Sequence, residues 1–189
     1  MCVRTCGAVS LLLACAGASG EVVFDQRGYA EVSLDISGMT SVDALGSVLN
    51  TVVDFQHSYV MQHVLVVGVG WDVEIDTNGI SWLSEAGMHL SVFDGGSLSI
   101  VFFPDDAFPG TAHADSGGVI VLDPSEFLSV GMDNTLRVEF FESYDDITGE
   151  DDAVYLAGST VTFGLLAPAP GALGVVGAGM LVAGRCRRS

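Results

Sequence analysis

The side chains best suited to chemistry in this 189-residue sequence are carboxylates, several of which occur in adjacent pairs. Three pairs and two nearby glutamates fall in segments predicted to be loops: Asp105-Asp106, Asp145-Asp146, Asp151-Asp152, Glu142 and Glu150. Calcium accepts hard oxygen ligands of this kind. Their spacing matches neither an EF-hand nor a glycine-aspartate repeat, so the sequence predicts solvated acidic loops and no cofactor, with calcium binding as the alternative.

Histidines are the other candidate ligands or bases, and none of the four lies in a zinc-binding or catalytic pattern: His57, His63, His89 and His113. His57 and His63 would share one face of a single strand, which makes a two-histidine metal site the less favoured interpretation. No nucleophile elbow or phosphate loop is present either. The sequence therefore predicts that the protein is not an enzyme, and a small hydrolase would require scattered residues to converge in a concave site.

Two tryptophans, Trp71 and Trp82, could stack against sugar rings. A tryptophan that follows an apolar strand is more commonly part of the core. We therefore expect both rings to pack inside the domain, with a sugar-binding platform as the alternative.

Charge divides the chain into a central segment and two ends. All 24 acidic residues lie between Glu21 and Asp152, and the sequence contains no lysine. Four of the six basic residues are in the ends, so the central segment keeps only Arg27 and Arg137 and has a formal charge of −22, against −18 for the whole chain. Binding to phosphates needs a basic face, so nucleic acid is excluded as a partner.

The cysteines follow the same division. All four lie in the ends of the chain: Cys2, Cys6, Cys15 and Cys186. The central segment therefore has no disulfide, no thiolate nucleophile and no zinc-thiolate site, and it must be held together by core packing.

The first 20 residues have the three-part plan of a secretory signal peptide. Arg4 is followed by an apolar stretch over residues 7–16 and then by small residues before the first acid. The predicted cleavage region contains Ala18, Gly20 and Glu21, with cleavage after Gly20 or after Ala18. A lipoprotein signal is the competing interpretation, because Leu12-Leu13-Ala14 precedes Cys15 like a lipobox.

The C-terminal segment combines a short apolar stretch with a basic end. As an α-helix, residues 172–184 would span ~20 Å, short of a hydrocarbon layer of ~30 Å, which a helix starting at Leu165 would cross. Arg185, Arg187 and Arg188 follow this stretch and would stay on the cytoplasmic side. We therefore expect a short transmembrane helix that leaves the central domain outside.

Together, Pro168-Ala169-Pro170-Gly171, the apolar stretch and the arginine-rich end resemble the PEP-CTERM sorting signal of exopolysaccharide-producing bacteria. In that family a Pro-Glu-Pro motif precedes a short membrane helix, and an exosortase, a membrane-embedded cysteine protease, cuts near the motif. The resemblance covers residues 167–189 and implies that the proline motif is the recognition site. Ala169 stands where the family has glutamate, so the segment is interpreted as a Pro-Ala-Pro variant, with a plain membrane anchor as the alternative.

Residues 21–166 alternate apolar and polar side chains, which is typical of β-strands. The longest run, residues 64–75, predicts a central strand with a glycine-marked bulge or bend. Other strands are predicted over residues 22–25, 30–36, 48–55, 89–93, 97–103, 119–122, 136–140, 154–156 and 160–163. Turn signals separate them at residues 76–79, 94–96, 116–118 and 133–134.

About eight or nine strands without a convincing amphipathic helix predict an all-β fold, a jelly-roll-like β-sandwich. Residues 42–49 would add one helical turn or two. The predicted chain has three parts: a signal peptide at residues 1–20, an acidic sandwich at 21–166 and a sorting segment at 167–189.

These features predict an exported bacterial cell-envelope or extracellular-matrix protein with a structural or adhesive domain. Signal peptidase and exosortase would process it at the cytoplasmic membrane, which the C-terminal helix would contact. The mature domain would then reach the outer surface or the exterior, where an extracellular polysaccharide is a candidate partner. The alternative function is a secreted calcium-dependent carbohydrate-binding module.

Overall fold

Strands make up nearly all of the regular structure in the computed structural model, which describes residues 11–13, 19–20, 22–57, 64–93, 95–131, 135–146 and 149–167. In chain order the strands are β1 Leu11–Leu13, β2 Ser19–Gly20, β3 Tyr29–Asp35, β4 Thr40–Ser41, β5 Val52–His57, β6 Val64–Thr77, β7 Ala86–Val92, β8 Ser97–Val101, β9 Thr111–Asp115, β10 Ile120–Val121, β11 Leu128–Val130, β12 Thr135–Glu142, β13 Ala153–Tyr155 and β14 Thr160–Leu166. Within these ranges the only helix is a 3-10 turn at Pro124–Glu126. The predicted all-β class is confirmed.

The strands form two sheets. In the first, sheet A, the long strand β6 pairs with β14 and β13 on one side and with β9, β10 and β11 on the other. β14 also pairs with β3, and β13 with β4. The second, sheet B, has the order β2-β5-β12-β7-β8. Pairing is antiparallel except where β1 joins the edge of sheet A and β2 the edge of sheet B.

The inward faces of the two sheets share one core. Along β3, Ala30, Val32 and Leu34 are buried while the residues between them are half-buried, as alternation predicts. Aromatic rings join the sheets: Phe55 of β5 lies 6.3 Å from Phe163 of β14, measured between ring centroids. Since side chains of both sheets interdigitate in this way, the domain is a β-sandwich.

The predicted bulge is present in β6. Gly68 lies opposite Gly164 of β14, and the next pair joins Val66 to Leu165, so Val67 is an extra residue on β6. The glycines nearby make room for the segment before β10. A Cβ atom on Gly70 would lie 2.6 Å from the carbonyl oxygen of Gly118, closer than any side chain could approach.

Other local predictions are wrong. Residues 22–25 form no strand, and residues 42–49 form turns in place of the predicted helical turn. The reason for the second difference is Asn50, whose amide oxygen accepts from Asp43 N at 2.9 Å and whose amide nitrogen donates to Ala44 O at 2.9 Å. These bonds satisfy the backbone locally without a helix.

Strands β4, β9 and β11 have no counterpart among the predicted strands. The inward residues of β9 are Ala112 and Ala114, which have little apolar surface to mark the strand. No helix in the described part of the chain is both long and apolar enough to cross a membrane. The predicted transmembrane helix, the turn at residues 133–134 and most of the predicted signal peptide lie outside the described residues.

Candidate functional site

The predicted sorting residues lie outside the part of the chain that the structure describes: Pro168, Ala169, Pro170, Gly171, Arg185, Arg187 and Arg188. The same holds for Ala18 and Glu21 of the predicted cleavage region, whereas Gly20 ends β2 and pairs with His57 of β5. The described fold ends just before the proline motif, where Ala167 N donates to Gly28 O at 2.7 Å.

Five acidic residues, which we call the carboxylate cluster, come together where β12 ends and β7 begins: Glu85, Glu142, Asp145, Asp146 and Asp152. The strand register positions them. Glu142, the last residue of β12, lies opposite Ala86, the first of β7, and Ser143 N donates to Glu85 O at 2.9 Å. The segment before β13 is fixed to the same place because Asp152 N donates to Ser41 O at 2.9 Å.

Glu142 is fully buried, with 0% of its surface exposed. Its Oε1 accepts a hydrogen bond from Ser41 Oγ, and its Oε2 is buried without a hydrogen-bond partner. Burial raises the pKa of Glu142 to about 8; the Ser41 hydrogen bond opposes this shift, and the nearby carboxylates of Asp152, Glu85 and Asp146 add to it. In the absence of a cation, Glu142 is therefore largely protonated at neutral pH.

Asp152 repeats this arrangement. It is also 0% exposed, its Oδ1 accepts from Ser81 Oγ at 2.9 Å, and its Oδ2 is buried without a partner. Burial raises its pKa. The hydrogen bonds from Ser81 and from the backbone of Asp146 oppose this shift, and the charges of Asp145 and Asp146 add to it. A third buried oxygen, Asp145 Oδ1, also has no partner. Three residues thus each have one buried oxygen without a hydrogen-bond partner.

Glu85 completes the carboxylate cluster from the β7 side. Its Oε2 accepts from Trp82 N at 2.9 Å. Burial is the main cause of its raised pKa, and the neighbouring charges of Asp146 and Asp152 contribute.

Among the described residues, no basic side chain neutralises the carboxylate cluster. The two ion pairs found among the described residues, Arg137–Asp54 and His113–Asp72, include none of its members. A buried carboxylate must be protonated or paired, because an isolated buried charge is costly. As they stand, no three described His, Cys, Asp or Glu side chains are arranged to hold a metal ion, so the cluster is not a preformed metal cage.

The prediction of solvated acidic loops is confirmed in part. Asp105, Glu150 and Asp151 are exposed, whereas Glu142 and Asp152 are fully buried, contrary to it. The sequence did not predict that Glu85, Ser41 and Ser81 would lie with these acids. Nothing in their spacing indicates it, because Ser41 and Glu142 are 101 residues apart.

A second candidate surface lies on the outer face of sheet B. This surface, the sheet B groove, has a volume of about 410 Å³ and is lined by Asp54, Gln56, Ser91, Phe93, Thr135 and Arg137. Arg137 of β12 lies opposite Asp54 of β5 and contacts both of its oxygens, Nε to Oδ1 at 2.9 Å and Nη2 to Oδ2 at 3.1 Å. This hydrogen bonding lowers the pKa of Asp54. Polar groups therefore lie beside the ring of Phe93, which is 85% exposed.

The tryptophans are not paired into a platform. Trp71 packs against the core, with its ring centroid 5.8 Å from that of Phe102, as predicted. The prediction is wrong for Trp82, which is 44% exposed, because it lies in the turn after β6 and not on a strand. With Trp71 in the core, a sugar platform built from both rings is absent.

His89 and His113 form hydrogen bonds with residues outside the carboxylate cluster. His113 Nε2 contacts Asp72 Oδ1 at 2.7 Å on an exposed surface, and this hydrogen bond raises the pKa of His113. His89 Nδ1 pairs with Ser99 Oγ at 2.7 Å across β7 and β8. β5 ends at His57, and His63 lies outside the described residues, so the two-histidine interpretation stays a hypothesis.

No protein-family model matches the chain, and no curated protein is significantly similar to it.

Proposed function

We propose that this chain is an exported bacterial cell-envelope or extracellular-matrix protein whose acidic β-sandwich has a structural or adhesive role and no enzymatic activity. Signal peptidase would cut it near Gly20, and an exosortase-like enzyme would act at the proline motif after the apolar C-terminal segment has entered the membrane. The mature domain would then be displayed on the envelope or released.

The observation that carries the proposal is the position of the last strand. β14 lies inside sheet A between β3 and β6, and it ends at Leu166. Ala167 is still buried and is hydrogen-bonded to Gly28. The last described strand thus lies in the interior of its sheet just before Pro168, which supports a separate role for residues 168–189.

The strand order supports the finer assignment of a jelly roll. The neighbours in sheet A are β3, β14, β6 and then β9–β11, and those in sheet B are β5, β12, β7 and β8. The first long strand is therefore paired with the last one, and the second with the last but one. Two nested Greek keys produce this order. Because one fold serves many functions, it supports a binding or structural role only in general terms.

Mass spectrometry of the intact protein from envelope and medium fractions tests the proposal. We expect an N-terminus at Glu21 or Ser19 and a C-terminus between Pro168 and Gly171. A mature protein that retains Arg188 would support a plain membrane anchor and exclude exosortase processing. Recovery of the unprocessed chain from the cytosol in soluble form would overturn the whole proposal.

A second candidate function is carbohydrate binding through the sheet B groove. The observation that favours it is the exposed ring of Phe93 beside the Arg137–Asp54 pair and Gln56. An aromatic face can pack against a sugar ring while the polar groups bind its hydroxyls. This function is compatible with adhesion to an extracellular polysaccharide, and calorimetry with polysaccharides tests it.

A further inference from the structure

We propose that the carboxylate cluster binds one Ca²⁺ ion, with Glu142, Asp145 and Asp152 as carboxylate ligands. The ion would join the end of β12 and the segment after it to the segment that precedes β13.

The unpaired oxygens carry this inference. Glu142 Oε2, Asp145 Oδ1 and Asp152 Oδ2 are all buried and have no hydrogen-bond partner, although buried polar atoms in proteins are nearly always paired. Ser41 and Ser81 each bind only one oxygen of Glu142 and Asp152, respectively. These hydroxyls hold the two carboxylates in place while the second oxygen of each stays free to bind an ion.

The charge of the surroundings favours a positive partner. Glu85 and Asp146 add two further carboxylates close to the three proposed ligands. The chain contains no lysine, and the arginine of sheet B, Arg137, is paired with Asp54. A bound divalent cation would neutralise the carboxylate cluster without burying an arginine or protonating its members.

Calcium fits these donors better than other common metals do. All of the side-chain donors are oxygens, whereas zinc sites are rich in cysteine and histidine. Magnesium demands near-ideal octahedral geometry, but calcium accepts six to eight oxygens in irregular arrangements, including backbone carbonyls and water. The side chains do not form a preformed cage, and calcium tolerates an irregular site better than magnesium does.

Thermal unfolding of the purified full-length chain tests the site, followed by the fluorescence of Trp71 and Trp82. The chain is first stripped with EDTA and then measured in CaCl2, in MgCl2 and in NaCl of equal ionic strength. The NaCl control is essential, because any salt screens a domain with a formal charge of −22. At a calcium concentration about 100 times Kd, we expect Tm to rise by about 5–10 °C beyond the NaCl value.

The variant Glu142→Gln separates a bound ion from general screening. It removes one ligand and one buried acid, so we expect a higher Tm in EDTA and no calcium-specific rise. Glu126→Gln, which removes an exposed charge from the 3-10 turn, should keep the full calcium effect. Asp152→Asn is the second test variant, should Glu142→Gln fail to fold.

The proposal is overturned if calcium raises Tm no more than NaCl does. It is also overturned if a folded Glu142→Gln or Asp152→Asn variant keeps the calcium-specific rise in Tm. If neither variant folds, calorimetry of the wild-type chain with CaCl2 decides. Saturation at one ion per chain supports the site, and the absence of saturable heat overturns it. These measurements use purified protein and are independent of how the chain is processed or sorted.

Discussion

Ser81 Oγ donates a 2.9 Å hydrogen bond to Asp152 Oδ1, while Oδ2 of the same buried carboxylate has no partner. The two residues are 71 positions apart and meet because Asn78 N, near the end of β6, donates to Asp152 O at 2.7 Å. One oxygen of the carboxylate is thus fixed by the fold and the other is free. We expect the bonded oxygen to contribute to the stability of the domain and the free oxygen to contribute to its response to ions.

Replacing Ser81 with alanine should destabilise the domain. The change removes the hydroxyl that satisfies Asp152 Oδ1, and a buried acceptor without a partner costs about 1–3 kcal/mol. Urea unfolding of the full-length chain measures the difference. Ser97→Ala, at an exposed position at the start of β8, is the control and should change the free energy of unfolding by less than about 0.5 kcal/mol. Equal effects of the two changes would contradict the role given to Ser81.

Stability in EDTA should fall as pH rises. The pKa of Glu142 is about 8 in the folded chain, above its ordinary value of 4.5, so the protonated form is favoured by folding. The resulting stability is fully present below about pH 4.5 and is lost as pH rises through about 8. Glu85 and Asp152 act in the same direction, since their pKa values are also raised.

Thermal unfolding at several pH values checks this expectation, and Glu142→Gln should flatten the profile. The groups that face Glu142 are Ser41, Asp152, Glu85, Asp146 and Tyr155, and none of them is basic. A Tm that stays constant or increases from about pH 4.5 to about pH 8 would show that Glu142 is not held in its protonated form.

Phe93→Ala should weaken polysaccharide binding at the sheet B groove without loss of stability. The ring is 85% exposed, so its removal costs little folding energy, while the loss of a stacking face should lower affinity about tenfold. Calorimetry measures the affinity for soluble starch, a neutral polymer. An anionic polymer such as alginate should bind less well to this acidic domain. Phe108→Ala, also exposed but outside the groove, is the control. If starch does not bind the wild-type chain, the groove is not a starch-binding site.

Gly70→Ala should cost more stability than Gly117→Ala. A Cβ on Gly70 would lie 2.6 Å from Gly118 O and 2.9 Å from Gly118 C, so the backbone itself would have to move. We expect a loss of about 2 kcal/mol or more, as for overpacked cores. Gly117 has open space around it and a φ of 70°, so alanine there costs only the left-handed strain of about 1 kcal/mol. Chemical denaturation of both variants gives the comparison.

Local sequence patterns predicted many of the strands. Alternation along residues 30–36 and 136–140 corresponds to β3 and β12, because a strand with one buried face must repeat every two residues. The glycines of β6 predicted a bulge or bend, and the bulge is at Val67. Gly68 and Gly70 also leave room for the segment before β10, which lies close to both. Strand β9 was not predicted, because its inward residues are alanines, whose small side chains give little hydrophobic signal.

The sequence by itself determined the all-β class, the acidity of the middle of the chain and the absence of cysteine from it, because these follow from composition and from period-two alternation. Only the tertiary structure decided which acids are buried. Glu142 and Asp151 look alike in the sequence, but one meets Ser41 inside the domain and the other is exposed. The physical reason is that the pKa and pairing of a carboxylate depend on neighbours that strand pairing brings together from distant parts of the chain.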